Sequence, residues 1–380
     1  VSLHRVHGGA ALIFVGVIAV ALLACGAKPT PAAPKPPPIK HVFTIMLENK
    51  GYDETFGDPP GSTYLAQTLP AKGQLLTQYY GTGHFSLGNY ITMISGQSEN
   101  PTTQSDCGAG FVDVTPGTIA ADGQAVGSGC VYPANVSTVA DQLEKADLTW
   151  RAYMEDMGDD PARDGGTNCA HPAIGANDVS HTASPTDQYA TRHNPFVYFH
   201  SIIDDYASCS KHDVNLDQLK TDLKKQQKTR NYTFITPDLC RDGHDATCAD
   251  PNQPGGYAGI DGFLREWVPR ILKSKAYKKD GLLIVTFDEA EYDGTPEAAA
   301  SCCFAPTGPN AAQQGIAGPG GGRTGAVLLS PFIDKGTVND TPYNHYDYLH
   351  TIEQIFGLKY LGYAAHAGVR SFGRDVFSGG

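Results

Sequence analysis

Five short apolar runs, separated by stretches with helical spacing, limit most sharply what this chain can fold into. They are HVFTIML (41–47), LTWRAYM (148–154), YTFITP (232–237), LLIVTF (282–287) and AVLLS (326–330). Each reads as a buried strand of a parallel sheet. Between them, VSTVADQLEKA (136–146) offers Ser137 or Thr138 as an N-cap. VNLDQLKTDLKKQ (214–226) and IDGFLREWVPRILKSKAY (260–277) carry apolar residues at helical intervals, with a kink expected at Pro269. YLHTIEQIFGL (348–358) stops at Gly357. Strands alternating with helices imply an α/β fold, with a mainly parallel central sheet flanked by helices. At 380 residues and 41% hydrophobic content, the chain can bury the core of one large domain or two small ones.

The first 40 residues read differently. Residues 1–24 have the form of an export signal: Arg5, then the apolar run GAALIFVGVIAVALLA (9–24), short for a bilayer span. The run ends in Leu-x-Ala-Cys, which resembles a bacterial lipoprotein signal and marks Cys25 as the lipidated residue. An ordinary cleaved signal with unmodified Cys25, or an uncleaved anchor, are the alternatives. Residues 25–39 include the Pro-rich KPTPAAPKPPPIK stretch, a semi-rigid tether that cannot pack a core. The folded domain is therefore expected over 40–380, on the outer face of a bacterial membrane or secreted. Eight further cysteines, an even number, fit disulfides outside the cytoplasm. The short-range pairs are Cys107 with Cys130 and Cys240 with Cys248, then Cys169 with Cys209. A bond between the neighbours Cys302 and Cys303 is geometrically awkward. A net charge of −12 argues against nucleic acid as the main partner, which needs a basic face.

Acids follow four of the strands. Glu48-Asn49 follow the first, Glu155-Asp156 the second, Asp238, Asp242 and His244 the third, and Asp288-Glu289 the fourth. One acidic pair after a strand is ordinarily a loop start or helix cap. Four at the carboxyl ends of parallel strands, where such sheets bind ligands, point to a metal site. HFSLGNYITMISGQ (84–97) adds a hydroxyl: Ser86 lies between Gly83 and Gly88, before an apolar helical run. A helix N-terminus there favours an incoming anion, and Asn89 lies one turn on. GPGGGR (318–323) lacks the Lys-Ser/Thr ending of a phosphate-binding loop and reads as flexible. Arg192-His193-Asn194 lies in a polar loop, where His193 and Asn194 are weaker candidates for substrate contact.

MLENKGYDETFG, the Ser-x-x-Asn-Tyr stretch, PDLCRDGHD, TFDEAEYDG and NHYDYLHTIEQIFGL occur in one order. In that order they resemble the bacterial phosphoesterase family of acid phosphatases and phospholipases C, within the alkaline-phosphatase-like superfamily. The resemblance covers roughly 40–378. It implies that Ser86 is the nucleophile. It implies that Glu48 is a metal ligand and Asn49 a contact to phosphate or nucleophile. It places Asp288 with Glu289, and Asp242 with His244, as ligand groups. Asp238 is a substitute for Asp242, and His345 is a late histidine at the metal. Asn49 and Asn89 would hold phosphoryl oxygens. Where the family has proline two residues after the nucleophile, this chain has Gly88.

The implied chemistry is hydrolysis of a phosphate ester, phospholipids included, through a phosphoserine on Ser86. It needs divalent metal of unassigned identity. Two alternatives stand beside it: a phosphodiesterase or phosphotransferase of the same fold, and a catalytically silent lipoprotein that binds metal or an anion.

Overall fold

The expected strands assemble into one eight-stranded sheet. In chain order they are β1 (His41–Leu47), β2 (Gln74–Leu76), β3 (Trp150–Met154), β4 (Asp213–Asn215), β5 (Tyr232–Thr236), β6 (Gly281–Phe287), β7 (Ala326–Leu329) and β8 (Thr337–Asn339). Their spatial order is β8-β2-β7-β6-β1-β5-β3-β4. β6, β1, β5, β3 and β4 run parallel to one another. β7 runs antiparallel to both its neighbours, which corrects the reading of 326–330 as a parallel strand. The cause is the preceding loop. The loop leaves β6 at Asp288 and returns to the same edge, where Ala290 N–H donates to the Gly321 carbonyl at 2.8 Å. The chain therefore re-enters the sheet from that edge and must run backwards.

This structure is a computed structural model, and it describes residues 1–2, 36–108, 110–316 and 318–378. Residues 3–24 of the expected leader, Cys25 and most of the 25–39 tether lie outside the described residues. The described residues from 36 onward belong to one compact unit. The last of the Pro-rich stretch already packs, with Ile39 only 4% exposed. No helix among the described residues is long and apolar enough to cross a membrane.

Helices α1 (Ser86–Ser95), α2 (Val139–Lys145), α3 (Asp217–Asp222), α4 (Gly256–Lys273), α5 (Lys275–Asp280) and α6 (His345–Phe356) flank the sheet. The period-two alternation of strands sorts β1 between two cores. Val42 and Met46 join Tyr90 and Ile94 of α1 and Leu349 and Ile352 of α6. Phe43, Ile45 and Leu47 join Phe263, Leu264 and Trp267 of α4. Each such fully buried side chain contributes about 1.5–3 kcal/mol, so both faces hold the strand ends in fixed register.

Several element boundaries differ from the sequence reading. Thr138 is the N-cap of α2, with a capping box to Asp141. Val214 belongs to the short edge strand β4, so the expected helix over 214–226 contracts to α3. Helix α4 continues past Pro269, and the break comes at Ser274 instead. There the backbone turns extended and the Ser274 hydroxyl accepts from Tyr277 N–H, capping α5. Disulfides join Cys107–Cys130, Cys169–Cys209 and Cys240–Cys248. Cys302 and Cys303 are also joined, against the expectation from adjacency. A left-handed backbone at Cys303 (φ 64°) accommodates the bond. The 318–323 run is no loose loop: Gly320, Gly321 and Gly322 are buried. Gly321 N–H donates to the Gly81 carbonyl, and a Cβ there would lie 2.4 Å from the Gly83 carbonyl oxygen.

Candidate active site

Helix α1 begins at Ser86, so the hydroxyl sits in its first turn, at the positive end of the helix dipole. Ser86 Oγ donates to Glu48 Oε2 at 2.9 Å. Tyr90 lies four residues on, on the same helix face, and donates to Glu48 Oε1 at 2.5 Å. Glu48 reaches them because β1 ends at Leu47 beneath α1. Its neighbour Asn49 takes a left-handed backbone (φ 56°) that asparagine tolerates. Asn49 N–H donates to Asp288 Oδ1 at 3.2 Å, tying the ends of β1 and β6 together.

The loop after β5 supplies Asp242, whose Oδ1 accepts from His244 N–H at 2.7 Å. Its Oδ2 lies 3.1 Å from His193 Nδ1. His193 Nε2 stands 3.5 Å from Glu48 Oε2, and the ring stacks on Tyr90 with centroids 5.5 Å apart. Glu48, His193 and Asp242 each offer a ligand atom, all within 4.8 Å of one another. Two buried atoms here have no hydrogen-bond partner among the described residues, Asp288 Oδ2 and His193 Nε2.

The electrostatics are those of crowded acids. Burial raises the pKa of Glu48 well above the usual carboxylate range, and repulsion from Asp288 and Asp242 adds to it. Burial, then Asp288 and Glu48, do the same to Glu289. Asp288 is pushed up to about 6 by burial, against hydrogen bonds that oppose the rise. Asp242 is raised chiefly by burial. Burial, then Arg192 and His244, hold His193 well below the usual imidazole value. The nearby cations are turned elsewhere: Lys50 toward the Asn49 carbonyl and Glu291, Arg192 toward His244 and Asp106. Carboxylates with one imidazole, and orphaned lone pairs aimed inward, fit a divalent cation.

The other expected site residues are placed differently. Asn89 is fully buried, and its oxygen accepts from Thr82 N–H, the Thr82 hydroxyl and Gly83 N–H. Both its amide hydrogens go to the Gly83 and Phe85 carbonyls. No donor remains for a phosphoryl oxygen, and Asn89 instead fixes the turn that presents Ser86. His345 also lies behind the site. Its Nε2 meets the Asp288 carbonyl at 2.6 Å and its Nδ1 the Tyr79 hydroxyl at 3.0 Å. Burial lowers its pKa to about 4. The neutral ring has both nitrogens engaged and is not free to bind metal. His244 sits on the cavity wall with Nδ1 on Asp245 and Nε2 facing Arg192. The histidine brought to the acids is His193. Asn194 points into the core, donating to Asp213 and the Tyr189 hydroxyl, and leaves the substrate role expected of it unsupported. Glu289 pairs with His84 Nδ1, whose Nε2 lies 2.8 Å from the Ala298 carbonyl oxygen. Asp238 does not replace Asp242, because its Oδ1 caps a turn by accepting from Cys240 and Arg241 N–H.

Gly88 has a clear reason. A Cβ there would lie 2.2 Å from Glu99 Oε1, and one at Gly83 would meet the same oxygen at 2.2 Å. The buried Glu99 side chain fills the space beside the Ser86 turn, so a side chain at 88 fits only if Glu99 moves. Sequence reasoning passed over Tyr90, His84 and Asp106. Tyr90 was legible from its four-residue spacing to Ser86. Asp106, whose Oδ1 accepts from Leu87 N–H, had no signal beyond its place next to Cys107.

Ser86 opens on a cavity of about 270 Å³, walled by Asn49, His84, Phe85, Asp106, His244 and Glu289, with Tyr292 and Ile316 at its rim. A second, acidic cleft of about 440 Å³ contains Tyr52, Tyr80, Asp293 and Arg323 and shares Glu291 with the first.

Comparison with known proteins finds phosphatases among the relatives of this chain. The chain is 26% identical to a probable acid phosphatase of Kluyveromyces lactis, over 85% of this chain and 59% of that protein. It is 30% identical to an acid phosphatase of Aspergillus niger, over 84% of this chain and 58% of that one. It is 23% identical to the phosphatidylinositol-3-phosphatase of Mycobacterium tuberculosis, over 94% of this chain and 91% of that protein. The chain thus spans a little under three fifths of the fungal relatives. The model of the Phosphoesterase family matches residues 62–359, and the chain belongs to that family.

Proposed function

We propose that this chain is a metal-dependent phosphoric ester hydrolase in which Ser86 attacks phosphorus and carries the phosphoryl group. One observation carries the reading. A helix-terminal serine hydroxyl is hydrogen-bonded to a buried glutamate, beside two unpartnered ligand atoms, Asp288 Oδ2 and His193 Nε2. A divalent cation held by Glu48, Asp242, Asp288 and His193 would neutralise charge on the phosphoryl oxygens and make the serine hydroxyl more acidic.

The chain's own residues do the rest. Glu48 Oε2 accepts the Ser86 proton, and Tyr90 holds the far oxygen of Glu48 so that the near one stays aimed. The Ser86 Oγ–P bond forms as the bond to the leaving alkoxide breaks, and the alkoxide departs as the alcohol with the proton Ser86 gave up. Water then attacks phosphorus, the Oγ–P bond breaks, and a proton from the water restores the Ser86 hydroxyl. The Asn89 clasp keeps the hydroxyl in place through both steps. Asn49, on the cavity wall, would donate to an equatorial oxygen.

The relatives are named as phosphatases, acting on an inositol lipid in one case. That favours phosphate monoesters as the substrate class over the diesters of a phospholipase C. Export is supported by the disulfides and by the leader-like sequence with Cys25. The test is hydrolysis of p-nitrophenyl phosphate and p-nitrophenyl phosphorylcholine by the full chain, beside Ser86→Ala and with a chelator. Monoester turnover abolished in both controls is expected. Turnover that survives Ser86→Ala removes the serine from the mechanism.

A further inference from the structure

We propose that the sheet edge opposite Ser86 is a docking face for an anionic lipid bilayer. β6, β1 and β5 lie side by side and parallel, so their exits share the Ser86 edge and their entries share the other. The three entries touch. Lys40 N–H donates to the Asp280 carbonyl at 2.9 Å, and Asn231 Nδ2 donates to the Lys40 carbonyl at 2.9 Å.

Exposed lysines gather at this junction: Lys40 before β1, Lys225 and Lys228 before β5, and Lys275, Lys278 and Lys279 on α5 before β6. The lysine ion pairs among the described residues involve Lys50 and Lys220, not these six. The carboxylates nearest the junction are buried and engaged, Asp280 by His41 and Asp222 by Arg151. Exposed Glu144, Asp147 and Asp205, around the start of β3, and Asp334, after β7, are counter-charges along this edge. Lys278 and Lys279 also complement the C-terminus of α5, but that local role does not cover Lys40, Lys225 or Lys228. In a chain of net charge −12, a basic end opposite an acidic one polarises the molecule along its strands.

A bilayer fits this face better than a soluble polyanion, because the backbone reaches the sheet, at β1, through Lys40. Whatever precedes Lys40 arrives at this edge. The argument for a membrane there rests on the reading of 1–24 and Cys25 as a lipoprotein leader, and not on the chemistry at Ser86. Lysines held within a Debye length of an anionic surface are attracted to it, and salt screens the attraction. Docked this way, the Ser86 cavity faces away from the bilayer and draws substrate from the aqueous side.

The test is amine-acetylation footprinting of the full chain on vesicles of phosphatidylcholine, alone or mixed with phosphatidylglycerol, at low and high salt. Labelling of Lys225, Lys228, Lys278 and Lys279 should fall about five-fold on the mixed vesicles at low salt and return at high salt. Lys220, whose side chain is 40% exposed in the helix that follows the exit of β4, should not change. Equal labelling on both compositions overturns the proposal. So does protection by dextran sulfate without protection by the mixed vesicles, which would make the partner a soluble polyanion. Ester turnover in the same samples reports on Ser86 separately, so failure of one reading leaves the other standing.

Discussion

Along one edge of the sheet, two groups of carboxylates follow neighbouring strands and look alike in sequence. Glu155, Asp156 and Asp238 follow β3 and β5. Glu48 and Asp288 follow β1 and β6, joined by Asp242 from the loop after β5. The first group is closed. Arg241 bridges Glu155 and Glu266, Asp156 Oδ2 accepts from Gln188 N–H at 3.0 Å, and Asp238 caps its own turn. Among the described residues, the second group has no lysine or arginine in it and leaves Asp288 Oδ2 and His193 Nε2 without hydrogen-bond partners, and it touches a serine. Acids whose lone pairs are spent on the protein hold a loop. Burial and then Asp238 push Asp156 up to about 7 as well, so repulsion alone does not separate the groups; the unpartnered atoms beside a hydroxyl do, and those are what we propose a cation fills.

This contrast is open to mutation. Asp288→Asn should cost on the order of a thousand-fold in kcat, the several kcal/mol of charge stabilisation a bound cation supplies. It should also lower the metal content of the purified protein. Retained metal and turnover would put Asp288 with the closed group. Gly88→Ala should cost about 100-fold by pushing the Ser86 turn off Glu99. Gly88→Ala with Glu99→Ala should recover most of the loss, and an additive double mutant would show that the contact does not position the serine. Glu155→Gln should destabilise by about 2 kcal/mol, read as a lower urea midpoint, because Arg241 loses a partly buried partner. Its turnover should stay near that of the unmodified protein. Tyr90→Phe should lower kcat about five-fold, the value of one hydrogen bond to Glu48.

The fold was readable where the chain is repetitive and the site where it is not. Strands β1, β3, β5 and β6 are long apolar runs, and their order gives the parallel core. The three-residue strands β2, β4 and β8 carry no period and are defined only by pairing. The reversal of β7 depends on where a long loop travels, which local sequence does not encode. At the site, the family resemblance singled out Glu48, Ser86 and Asp288, and the structure puts them together because strand ends and a helix start fix them locally. His193 was not distinguishable from His244 or His345. All three lie in polar segments, and only tertiary packing decides that His193 meets Asp242 and Glu48 while His345 turns to the Asp288 carbonyl. Asn89 was misread for the same reason, since its amide is spent on a turn six residues back.

The central claim is that phosphorus passes through Ser86. The most direct measurement is the stereochemical course of hydrolysis of an isotopically chiral phosphorothioate monoester in labelled water. Two successive in-line displacements, the first by Ser86 and the second by water, predict net retention of configuration at phosphorus. Net inversion would mean a single direct attack by water and would contradict the account.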